Sequence, residues 1–205
     1  MNKLLPKRSL DIALAIDSSR SMAPHKKLLY AKKAAVGLAL AASKIGDRVK
    51  VLAFSDFAAS IVNVRVKVDK RFLRKITRIR PLNSTNVEAA LKKGTEIINN
   101  RNAGGQGHII LITDGVSTSC SAFFNSKTYP SRVTSIKAAY TQAKRCRSEG
   151  ISISTICIDV DEHIDRNFCL TLSRLGKGRS YFLKDPRKLP NATLQEYSKL
   201  KSSIV

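Results

Sequence analysis

Short apolar runs rich in Ile, Val and Leu alternate along the chain with longer segments whose apolar residues recur every three or four positions. That alternation predicts an α/β protein with a largely parallel sheet. Leu10 to Ile16 is apolar at nearly every position, as expected of a central strand covered on both faces. A helix is expected from Pro24 to Ser43, with Leu29, Val36 and Leu40 on one face, followed by a strand from Arg48 to Phe54. Ser60 to Val68 alternates apolar and polar residues in its latter part, and the short connection before it predicts an antiparallel strand at the sheet edge.

A basic helix near Lys70 to Ile79 stops at Pro81. Thr85 or Asn86 is placed to cap the next helix, which carries Val87, Leu91, Gly94 and Ile98 at helical spacing. His108 to Thr113 reads as a second buried strand, ended by Asp114-Gly115, and Ser117 to Pro130 as a polar loop. Ser131 to Glu149 reads as a helix facing inward with Val133, Ile136, Tyr140 and Ala143, and Ile151 to Ile158 as a strand. A helix at Ile164 to Leu175, a glycine turn, a strand at Arg179 to Leu183 and a helix at Leu189 to Lys201 complete the pattern. The expectation is a doubly wound, mostly parallel six-stranded sheet with helices on both faces and one antiparallel edge strand.

With 205 residues, 43% of them hydrophobic, the chain is long enough for one domain spanning 1–205 with a substantial core. No apolar stretch reaches the roughly 20 residues of a membrane-spanning helix; the longest, Ala34 to Ala42, suits a helix buried on one side. Lys3, Pro6, Lys7 and Arg8 leave no apolar segment for a signal peptide. Cys120, Cys146, Cys157 and Cys169 form no CxxC pair, which points to a reducing, cytoplasmic setting. Cys146 and Cys157 are expected in the core, and Cys120 exposed in its loop.

In an open α/β sheet, ligands bind beyond the carboxyl ends of the strands. The first strand runs into Asp17-Ser18-Ser19-Arg20-Ser21, a second central strand into Thr113-Asp114-Gly115, and Asn83-Ser84-Thr85-Asn86 leads into a helix. Asp17, Ser19, Ser21, Thr85 and Asp114 thus offer two carboxylates and three hydroxyls on one rim, a donor set for a hard cation such as Mg²⁺, Mn²⁺ or Ca²⁺. Both carboxylates are expected to face solvent, Ser18 and Arg20 to point away, and Thr113 and Ser117 to orient ligands or cap the loop.

The Asp-x-Ser-x-Ser of Asp17, Ser19 and Ser21, with Thr85 and the strand-terminal Asp114, resembles the metal-ion-dependent adhesion site (MIDAS) of von Willebrand factor A domains. The likeness extends to Asn-Val-Glu-Ala-Ala-Leu after Thr85 and to Gly-x-Gly-Arg-Ser-Tyr-Phe near the end, while Arg20 replaces the family's usual Gly, and Asn83-Ser84 its frequent Gly-Gly. The resemblance implies a recognition module in which a partner's Asp or Glu completes the coordination of the metal. Its nearest flavour is the prokaryotic intracellular group that accompanies AAA+ ATPases, including MoxR-associated proteins and the magnesium chelatase D subunit. No Walker A motif is present, so ATPase activity would belong to a separate chain.

An enzyme is disfavoured: there is no GxSxG elbow, and His25, His108 and His163 have no metal-ligand spacing. His108 is expected to open a strand, and His25 and His163 to be solvated at helix starts. Charge supplies the alternative function. Lys and Arg number 37 against 15 Asp and Glu, a formal charge of +22. Between Arg65 and Arg80 lie Lys67, Lys70, Arg71, Arg74, Lys75 and Arg78, opposed only by Asp69. This stretch is either a solvated face guarding an edge strand or a surface for nucleic acid or another polyanion.

Overall fold

The computed structural model describes residues 9–64, 68–82, 84–100, 105–120, 130–160 and 165–204. Six strands form one sheet: β1 (Leu10–Asp17), β2 (Arg48–Phe54), β3 (Ala58–Val64), β4 (Gln106–Thr113), β5 (Ser152–Ile158) and β6 (Lys177–Leu183). Their spatial order is β3-β2-β1-β4-β5-β6, with β3 antiparallel to β2 and every other pairing parallel. The expected fold class is the observed one. The chain moves outward from β1 through β2 to β3, then returns to β1's other side with β4, so the switch point lies between β1 and β4.

Side-chain alternation divides the central strands between two cores. Ile12, Leu14 and Ile16 of β1 and Ile110 and Ile112 of β4 face one core; helices α1 (Lys27–Lys44), α2 (Lys70–Thr77) and α6 (Leu189–Ser202) close it. Ala13 and Ala15 of β1 and Ile109 and Leu111 of β4 face the other, closed by α3 (Val87–Asn99), α4 (Arg132–Ser148) and α5 (Arg166–Leu175). Burial on both faces is why these strands read as unbroken apolar runs. No described helix is long and apolar enough to cross a membrane.

Several local expectations change. In α1, Leu29 and Leu40 are each 45% exposed, whereas Leu28, Ala31, Ala35, Leu38 and Ala42 are buried. Both sets have helical spacing, and the alanine-bearing stripe wins because it lets α1 lie close to the sheet and to α6. Val133, expected inside α4, is 60% exposed, while Ala139, Ala143 and Cys146 turn inward. The edge strand begins at Ala58, ahead of the expected Ser60, and its described part runs to Val64. Arg65, Lys67, Asn83 and His163 lie outside the described residues, as does most of the Ser117 to Pro130 loop.

All four cysteines are buried and none is in a disulfide, so Cys120 is not the exposed residue its loop position suggested. Its loop folds back onto the start of α3 through Ser117, which accepts from Val87 N at 3.2 Å.

Candidate metal centre

Pairing with β2 carries β1 one residue past its end: Ser18 N and Ser18 Oγ both donate to the Phe54 carbonyl, at 2.8 and 2.9 Å. Ser18 therefore points away from the rim, as expected, and its own carbonyl accepts from Leu82 N at 2.6 Å. Asp17 Oδ1 accepts from Ser19 N at 2.8 Å, bending the chain so that Ser19 and Ser21 come round on the same side. A short 3₁₀ turn, Arg20–Met22, follows, held by the fully buried Met22. Arg20 faces solvent.

The two strand ends are joined directly. Thr113 Oγ1 donates to Asp17 Oδ2 at 2.6 Å. The Ser19 and Ser21 hydroxyls share a hydrogen bond at 3.0 Å, and Ser21 Oγ donates to Asp114 Oδ1 at 2.7 Å. Asp17, Ser19, Ser21 and Asp114 thus form one connected oxygen cluster, open to solvent at Ser21. Asp17 does not face solvent as expected: it is 0% exposed. Burial, and after it the neighbouring Asp114 charge, push its carboxyl up to about 7 against the hydrogen bonds from Thr113 and Ser19.

Thr85 lies just before α3, outside that hydrogen-bonded series, and its backbone is held by the loop after β4. Its carbonyl accepts from Thr118 N at 2.8 Å and Ser119 N at 3.1 Å, and its N–H donates to Thr118 Oγ1 at 3.0 Å. Ser117 Oγ donates to the same carbonyl at 3.3 Å, so this serine braces the loop. Asn86, not Thr85, caps α3: its Oδ1 accepts from Ala89 N at 2.9 Å, while its Nδ2 donates to the Asp56 carbonyl. Ser84 Oγ donates to the Asp56 carboxylate, fastening the Thr85 loop to the β2–β3 turn.

One residue at the cluster was not singled out by the sequence. Lys27 Nζ lies 2.9 Å from Asp114 Oδ2, with side-chain exposures of only 6% and 1%. It is the first residue of α1, placed there by a 3₁₀ turn, Pro24–Lys26, in which His25 and Lys26 both take left-handed φ values of 53° and 58°. Neighbouring Lys26 is exposed. Nothing in a Lys-Lys pair tells which one turns inward.

The donors are oxygens only, suiting a hard cation. Among the described residues no three His, Cys, Asp or Glu side chains cluster to hold a metal ion, so serine and threonine hydroxyls would have to complete any coordination. Of the two described histidines, His25 is exposed and His108 is buried in β4 against Ser152.

The fold and this rim define a doubly wound α/β domain with a hydroxyl-and-carboxylate cluster at its switch point. The chain belongs to the von Willebrand factor type A domain family, whose model matches residues 12–116. No curated protein matches it significantly. Among solved structures, the conserved hypothetical protein BatB from Bacteroides thetaiotaomicron is similar, with 17% identity, a TM-score of 0.67, and 95% of this chain and 100% of that one covered. The vWF domain of the type V pili tip protein Mfa5 from Porphyromonas gingivalis has 14% identity and a TM-score of 0.73, covering 98% of each chain. The pilus adhesin SpaC from Lactobacillus rhamnosus GG has 13% identity and a TM-score of 0.76, covering 98% of this chain but 31% of that one. Identities this low show a shared fold. Domains of this family serve protein interaction.

Proposed function

We propose that the chain is a metal-dependent protein-interaction module in which Asp17, Ser19, Ser21, Thr85 and Asp114 hold Mg²⁺ or a similar cation. A partner's Asp or Glu would supply the last ligand. The reading is carried by the hydrogen-bonded series Asp17–Ser19–Ser21–Asp114 across the ends of adjacent parallel strands. A hard cation supplies positive charge there, and neutral hydroxyl ligands leave much of it available to an incoming carboxylate. Thr113 and Ser19 N hold Asp17 in place, and solvent-exposed Ser21 marks the side from which a partner reaches the cluster.

The partner class we favour is an AAA+ ATPase of the MoxR or magnesium chelatase type. Support comes from the resemblance of the site motif to that group. Four buried cysteines without disulfides accord with a cytoplasmic setting.

Capture from lysate in Mg²⁺ and again in EDTA, with Asp17→Asn and Asp114→Asn as controls, tests the proposal. Retention of an ATPase only by wild type and only with Mg²⁺ supports it. Equal retention in EDTA overturns it.

A second reading has its own observation. Arg71, Arg74, Lys75, Arg78 and Arg80 are all exposed, while Phe72 and Ile76 anchor α2 to the core. That one-sided basic helix is suited to a polyanion such as RNA.

A further inference from the structure

We propose that Lys27 is the resident counter-charge of the Asp17–Asp114 cluster and that it weakens the site's hold on a divalent cation. The inference rests on the metal-site reading and goes beyond it, because Lys27 is no part of the five-residue motif.

The geometry splits the Asp114 carboxylate between two neighbours. Oδ1 accepts from Ser21 Oγ at 2.7 Å, on the side of the hydroxyls, and Oδ2 receives the Lys27 ammonium at 2.9 Å. Both groups of the ion pair are nearly sequestered from water, so solvent screens the lysine charge poorly. A lysine almost never buries its ammonium unless it is paired, so its inward position is specified by the carboxylate. The backbone supplies an independent sign. Two consecutive non-glycine residues, His25 and Lys26, take left-handed conformations immediately before α1 and so start the helix at Lys27. Such strain persists only where surrounding structure imposes it, and it clusters at functional sites.

The charge count gives the consequence. Two ionised carboxylates alone present two negative charges to a cation; with Lys27 they present one. A divalent ion bound beside Lys27 leaves a net positive charge, which one carboxylate from a partner would neutralise. Lys27 is therefore a specificity-determining charge. It disfavours cation loading on its own and favours loading together with an acidic ligand. Coulomb repulsion between the ammonium and a divalent ion that share one carboxylate, even at the dielectric of water, weakens cation binding on the order of tenfold.

Mg²⁺ titration by calorimetry at pH 8 and low salt, on wild type, Lys27→Met, Lys27→Gln and Lys27→Arg, tests this, with circular dichroism reporting folding. The neutral variants are expected to bind Mg²⁺ about tenfold more tightly than wild type. Lys27→Arg, which keeps the charge, is expected to match wild type. Equal or weaker binding by a folded neutral variant overturns the proposal, as does a tenfold gain in Lys27→Arg. If every protein binds Mg²⁺ equally, only the role of Lys27 fails; if none binds it, the metal-site reading fails with it.

Discussion

Thr113 Oγ1 donates to Asp17 Oδ2 at 2.6 Å, tying the end of β4 to the end of β1 inside the protein. The same hydroxyl interacts with Gly115, whose N–H approaches it at 3.2 Å, so it also shapes the turn that presents Asp114. Thr113→Val keeps the side chain's shape and removes both interactions. Leaving a buried carboxylate oxygen short of a donor is expected to cost about 1–3 kcal/mol. Urea unfolding in EDTA measures the cost, and unchanged stability would show that Asp17 does not need this bond.

His108 gives a pH dependence remote from the rim. Burial pushes its imidazole down to about 4, with Arg179 acting in the same direction and the Glu196 carboxylate, 3.6 Å from Nε2, opposing. Its folded pKa lies below the ordinary 6.5, so its neutral form is the one the fold accepts. The associated stability is present above pH 6.5 and drains away as pH falls toward 4, a loss on the order of 3 kcal/mol. Comparing urea midpoints of wild type and His108→Gln across that window isolates the effect from the carboxylates. The variant is expected to show the shallower decline, and parallel curves would contradict it.

Where β6 begins, a Cβ on Gly178 would sit 2.0 Å from the Ile153 carbonyl oxygen. Backbone cannot yield there without breaking the β5–β6 pairing. Gly178→Ala is therefore expected to destabilise by about 1–3 kcal/mol or more, read as a lowered thermal midpoint, with Gly115→Ala, where a Cβ meets nothing within 4 Å, as the comparison. A matching loss in both would remove the packing explanation.

The exposed basic face of α2 separates the two functional readings. Reversing Arg71, Arg74 and Arg78 to Glu is expected to leave Mg²⁺-dependent partner capture intact. Any RNA binding should weaken, with the log–log salt slope falling by about 0.7 for each lost phosphate contact to a single strand. Loss of the Mg²⁺-dependent capture instead would place the partner on α2.

The periodicity of the sequence made most of this fold legible because the central strands, buried on both faces, carry unbroken Ile and Leu runs that few other arrangements explain. The capping signal at Thr85-Asn86 was equally local, and the Asn86 side chain accepts from Ala89 N as such a cap does. What the sequence withheld depended on contacts between distant elements. Leu28 rather than Leu29 faces the core because α6 packs there, and Cys120 is inside because its loop returns to α3. At the rim, the regular spacing of Asp17, Ser19 and Ser21 could be read directly. The depth of Asp17 and the inward turn of Lys27 could not, since both are set by partners some ninety residues away, Thr113 and Asp114.

The most direct test of metal dependence is a calorimetric Mg²⁺ titration of wild type beside Asp17→Asn, with circular dichroism confirming that both are folded. Asparagine keeps the size of the side chain, and the Thr113 hydroxyl can rotate to accept from its amide, so the rim is expected to survive without the charge. Wild type is expected to bind one Mg²⁺ per chain and Asp17→Asn none. Equal Mg²⁺ affinity in the two proteins, or no binding by wild type, would contradict a cation held at the ends of β1 and β4.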